Sequence, residues 1–191
     1  MLGMLFETII SALLVGHLRK GKLSNLENVP MRGWMLISLG FVIYLFQIAV
    51  LRLTQGSLAQ MVFNNLEWFQ LSSNFIIIAG LLVSSMEMGY IISALGISMN
   101  TLAAFVNGGR MPVSKGALEG LGLFKQLSVL QAGGTSVHQL ADGSTLLYLL
   151  CDVIPVPFIT PKAVSLGDIL LGLGIFLIIH KYMISPKALH S

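Results

Sequence analysis

The sequence predicts an all-α, polytopic membrane bundle forming a single domain over residues 1–191, and three observations carry that prediction. Of the 191 residues, 55% are hydrophobic and only 10% are charged, whereas soluble domains run near about 25% charged. So few charges cannot cover a water-facing exterior, and much of the surface must face lipid. Apolar runs recur at close to the ~20 residues that one bilayer crossing needs. Basic residues gather in the junctions between those runs, where loops meet a membrane surface.

The first span falls over residues 1–18. It lacks a basic leader, and Arg19, Lys20 and Lys22 follow it instead, so it reads as a retained anchor rather than a removable signal. With Arg32, these residues place the first loop in the cytoplasm and the N-terminus outside. The second span covers 34–53, with Trp34 and Arg52 at its interfaces. The polar stretch TQGSLAQMVFNN that follows is an outside, partly interfacial segment. The next apolar stretch, 68–106, is nearly twice one crossing, so it folds back near residues 84–89 and gives spans at 68–86 and 89–106. Glu87 is expected to be a solvated turn residue there.

Over 115–130, Leu118, Leu121, Phe124, Leu127 and Leu130 recur at three- and four-residue spacing, which predicts an amphipathic helix lying on the membrane surface. Residues 145–158 are apolar but too short to cross, and predict a re-entrant or interfacial half-helix stopped by Pro155. The last span covers 166–183. Five spans put the C-terminus in the cytoplasm. Six of the 11 Arg and Lys residues, namely Arg19, Lys20, Lys22, Arg32, Lys181 and Lys187, then lie inside.

The net charge of +3 and pI near 9.2 follow from this distribution, and nucleic acid is not an expected partner. Cys151 is the only cysteine, so no internal disulfide forms. His17, His138, His180 and His190 are scattered and show no metal-site spacing. No metal or cofactor is predicted.

Polar residues within or near spans are the candidates for function, because each leaves water at a cost unless paired. Glu7 reads as interfacial, and Asn100 as an interhelical hydrogen-bonding residue. Asp168 closes the sequence SLGD, which has the form of a capping box. Asp152 falls near the C-terminus of the expected half-helix, the unfavourable end of the dipole for an acid. It therefore needs a cation, a proton or water, with Lys162 and Arg110 as candidate partners. The stretch NGGRMPVS, from Asn107 to Ser114, has two readings. Asn107, Gly108, Gly109 and Pro112 form an ordinary helix stop and connector. Alternatively, the glycines allow close backbone approach while Arg110 offers a fork to a phosphate or carboxylate.

NGGRMPVS, LCDVIPVP and SLGDILLGLGIFLI, with LRKGKLSNL after the first helix, together resemble a family of small bacterial polytopic membrane proteins of unknown function. The resemblance runs over nearly the whole chain. It implies recurrent positions at Asn107, Gly108, Met111, Pro112, Val113, Asp152, Pro155, Gly167 and Asp168, with Cys151 standing where the family has glycine. It implies a bacterial membrane location and no particular reaction.

The function expected from these features is ligand binding. Asn107, Gly108, Gly109, Arg110, Met111, Pro112, Asp152 and Asp168 would converge on an outer-side polar pocket for a small anionic or amphiphilic ligand. One competitor is a metal-assisted enzyme acting on a lipid phosphate through the two carboxylates. Another is a structural subunit that meets a membrane-protein partner through Gly167, Gly172 and Gly174.

Overall fold

A computed structural model describes residues 2–135 and 137–185. Met1, Lys187 and His190, which figure in the sequence reading, lie outside the described residues. The chain is an all-α helical bundle with a small cap. Its long helices are α1 (Leu2–Leu18), α2 (Trp34–Leu53), α4 (Leu66–Ser84), α5 (Met88–Val106) and α8 (Leu166–Ile184); α3 (Ser57–Asn64) is a short helix between α2 and α4. Four of them, α2, α4, α5 and α8, are long and apolar enough to cross a membrane, and Met4–Leu18 is a shorter apolar helix. Large side chains point outward from them: Val42, Leu45 and Phe46 on α2 and Phe75 on α4 are all about half exposed or more. A water-soluble protein does not present such a continuous apolar exterior, so this is a membrane protein.

The helices stand in a row, with α2 against α4, α4 against α5, α5 against α8 and α8 against α1. Small residues set the closest approaches. On α5, Gly89, Ser93 and Gly96 face Gly167, Leu171 and Gly174 of α8; a Cβ added at Gly96 would lie 2.5 Å from the Gly167 carbonyl oxygen. Gly33 and Gly40 make the same kind of seam against Ser73, Ile77 and Gly80 of α4. Without a hydrophobic force between helices in lipid, such backbone-on-backbone packing supplies the attraction. Gly167 and Gly174, candidates for a subunit contact, are thus used inside the chain, and Gly172 packs against Met4 and Thr8 of α1.

At the end away from the cap, the Asn25 side chain donates to the carbonyls of Met183 and Ser185, both at 2.9 Å. These bonds satisfy acceptors that the last turn of a helix otherwise leaves open. Glu87 is not merely a solvated turn residue: it pairs with Lys181 at 2.9 Å and accepts from the Tyr182 hydroxyl.

The cap, residues 107–164, departs from the expected elements. Residues 115–130 form two helices, α6 (Lys115–Gly120) and α7 (Phe124–Gln131). Gly122, at φ +68°, breaks the run between them. Of the expected apolar stripe, Leu118, Leu127 and Leu130 bury against Val113 in a core of the cap's own, while Phe124 stays exposed. Residues 145–158 form no half-helix. Leu147 takes a left-handed conformation, Tyr148–Leu150 makes one 3₁₀ turn, and Ile154–Val156 is a strand, β3, paired antiparallel with β4 (Lys162–Val164). Pro155 and Pro157 cannot donate within a helix, and β-branched Val153, Ile154 and Val156 favour extended backbone. Strand β1 (Met111–Val113) pairs in parallel with β2 (His138–Leu140), and Asp152 bridges to Val113 on its other side.

Candidate functional site

The polar cluster begins at the start of α8. Ser165 and Asp168 form the capping box that SLGD predicts: the Asp168 amide donates to Ser165 Oγ at 2.9 Å, and the Ser165 amide donates to Asp168 Oδ2. Asn100 on α5 completes it, donating to Asp168 Oδ1 at 2.9 Å and accepting from the Ser165 hydroxyl at 2.7 Å. Asp168 is 6% exposed, and its bonding capacity is well used.

Asp152 stands differently. Its backbone is fixed by the bridge to β1, with its amide donating to the Pro112 carbonyl and its own carbonyl accepting from the Ser114 amide, both at 3.0 Å. Parallel pairing puts its side chain on the same face of the small sheet as Val113, Met111 and His138. The residue is 6% exposed, yet Oδ1 is buried and makes no hydrogen bond. Oδ2 lies 3.8 Å from Nε2 of His138, beyond hydrogen-bonding distance. Burial, together with the negative charge of Asp168, pushes the Asp152 carboxyl up to about 7. Burial pushes His138 the other way, down to about 4, against the pull of Asp168. Burial and the neighbouring Asp152 also hold the Cys151 thiol up to about 11, so it is not a reactive thiolate at neutral pH. The Tyr148 hydroxyl bonds the Ser114 hydroxyl at 3.0 Å nearby in the cap.

The turn of NGGRMPVS serves chiefly to connect. The Asn107 side chain donates to the carbonyls of Ala103 and Leu146 and accepts from the Leu146 amide. Gly108 and Gly109 both have positive φ. At Gly109 a Cβ would also come within 2.5 Å of the Glu67 amide nitrogen at the start of α4, so only glycine fits. Arg110 donates to the Gly133 carbonyl at 3.0 Å and lies over the Phe63 ring. Met111 and Pro112 belong to β1, with Pro112 fully buried. Of the eight residues expected in one pocket, the structure gathers Asp152 and Asp168 into one electrostatic neighbourhood. It assigns Arg110 and Lys162 to other partners, Gly133 and Glu7. Glu7, expected at the interface, is ion-paired with Lys162. His138 enters the cluster without a sequence signal, since its strand is three residues long and pairs with a partner 27 positions away.

A family model matches residues 28–180. The chain belongs to DUF5317, a family of unknown function. The resemblance to such a family is thereby borne out, and it covers every residue of the cluster in this DUF5317 chain. No curated protein and no solved structure matches it. Among the described residues, no group of three or more His, Cys, Asp or Glu is placed to hold a metal ion.

Proposed function

We propose that this is a multi-pass protein of the bacterial cell membrane, with its N-terminus and cap outside and its C-terminus in the cytoplasm. In this reading the junction of cap and bundle binds a small cationic ligand bearing an ammonium group. The observation that carries it is the buried Asp152 oxygen without a partner, in a neighbourhood that Asp168 makes more negative. A buried acceptor left unmet costs about 1–3 kcal/mol, and an ammonium donor restores that bond while balancing the charge. His138 offers a second acceptor in its neutral form. An anionic ligand is supported less well, because the Arg110 guanidinium is engaged by Gly133 and Phe63.

The test is thermal unfolding of the protein in nanodiscs of phosphatidylcholine alone, at pH 8, with small amines in one series and acetate or phosphate in another. Amines at about 100 times their dissociation constant are expected to stabilise by about 2.7 kcal/mol, and Asp152→Asn is expected to remove the effect. Stabilisation by the anions, or an amine effect that survives Asp152→Asn, refutes the reading.

A further inference from the structure

A second polar feature lies apart from that junction, on the flank of the bundle. Between α1 and α8, beneath the β3–β4 hairpin, a groove of about 340 Å³ is walled by Met4, Leu173, Phe176 and Ile159. Glu7, Thr8 and Ser11 line its polar side. The Glu7 carboxylate is ion-paired through Oε2 with Lys162 of β4, and both side chains are mostly withdrawn from the surface. Thr160 stands beside the same carboxylate, while Oε1 is buried and has no hydrogen-bond partner. The tip of the hairpin carries Phe158 and Ile159, 73% and 84% exposed. Two large apolar side chains at the end of a hairpin next to a lipid-facing helix pair belong at the boundary of headgroups and acyl chains.

We propose that this groove holds a phospholipid of the surrounding leaflet whose headgroup carries a primary ammonium, as in phosphatidylethanolamine. The arrangement offers two adjacent charges of opposite sign at the height of the hairpin, with apolar walls along the helices. A zwitterionic headgroup matches both: its ammonium donates to the Glu7 carboxylate and its phosphate faces the Lys162 ammonium. An acyl chain then lies along Leu173 and Phe176. Gly172 keeps the floor open, since a side chain there would press on Met4 and Thr8. A quaternary ammonium has no N–H to give, and an anionic glycerol headgroup has no cation. The chemistry therefore separates phosphatidylethanolamine from phosphatidylcholine and phosphatidylglycerol.

Native mass spectrometry of the detergent-purified full chain, titrated with each of these three lipids, measures the preference. Phosphatidylethanolamine is expected to bind at least about five-fold more tightly than the other two, a difference of about 1 kcal/mol. Glu7→Gln is expected to abolish that preference while leaving some binding through the acyl chain. Gly172→Leu is expected to weaken binding of all three lipids. A photoreactive phosphatidylethanolamine with the wild-type protein gives a second readout that needs no variant, with cross-links expected on Leu173 or Phe176. Equal affinity for the three lipids, an unchanged preference in Glu7→Gln, or cross-links spread evenly around the bundle would overturn the proposal.

Discussion

In the bundle, α5 and α8 meet backbone to backbone through Gly89, Ser93 and Gly96 against Gly167 and Gly174. In the cap, the longest helix has eight residues, and the chain is held by individual bonds such as those of Asn107 to Leu146 and Arg110 to Gly133. The two regions treat their aspartates differently. The capping box and Asn100 satisfy Asp168 in the bundle, whereas Asp152 in the cap keeps an oxygen without a partner. The α5–α8 seam is closed by backbone atoms in direct contact, whereas the cap is assembled from separate bonds.

The sharpest way to break this contrast is to add one methyl group to each region. Gly96→Ala places a Cβ 2.5 Å from backbone atoms of Gly167 and Leu171, which cannot move aside singly. It is expected to cost about 3 kcal/mol or more in equilibrium unfolding in detergent. Gly120→Ala in α6, where a Cβ meets nothing within 4 Å, is expected to change stability by no more than about 0.5 kcal/mol. Equal costs would show that the seam is not the tight element.

Ser165→Ala comes next, because it removes both the N-cap of α8 and the hydroxyl bonded to Asn100. A loss of about 2 kcal/mol is expected, with hydrogen exchange accelerating first at the cap end of α8. Exchange that accelerates equally at both ends of α8 would separate the cap residue from the junction.

The pH dependence sharpens the comparison within the cap. Asp152, raised from 3.8 to about 7, keeps its proton longer in the folded chain, so its contribution makes stability fall as pH rises from about 4 to 7. His138, lowered from 6.5 to about 4, makes stability rise with pH between about 4 and 6.5. Across that shared window the folded pair and the unfolded pair each bind one proton, and the two slopes cancel. Asp152→Asn is therefore expected to unmask stability that increases with pH from about 4 to 6.5, and His138→Gln stability that decreases over about 4 to 7. Slopes of the same sign in the two variants would dissolve the pair. A modest loss is expected of Arg110→Ala, which gives up an exposed bond to Gly133 and should cost about 1 kcal/mol in the same unfolding assay.

The bundle was legible because a long apolar helix announces itself locally: twenty apolar residues, Trp34 and Arg52 at the ends, and a Ser-x-x-Asp start to α8 are all readable within one window. The cap was not. Its strands are three residues long, too short for any periodicity, and each gains meaning only from a distant partner, as Met111 does from His138. The apolar run at 145–158 mimicked a half-helix because its composition matches one, while Pro155, Pro157 and the β-branched residues decided for a hairpin. Asp152 and Asp168 were singled out for their cost of burial, which a sequence does reveal. Their electrostatic neighbours were not, since Arg110 and Lys162 had equally good partners in Gly133 and Glu7.

Asn100 on α5 and Asn107, the residue that caps its C-terminus, lie seven residues apart, close to two helical turns and about 10.5 Å of rise. The first amide grips the start of α8 and the second grips Leu146 in the cap. This helix therefore works as a ruler, fixing how far the sheet carrying Asp152 stands from the carboxylate of Asp168. One residue inserted between the two marks would turn the second by about 100° and release one grip or the other. Any motion that slides α5 along its neighbour would be felt first as a change in the gap between those acids.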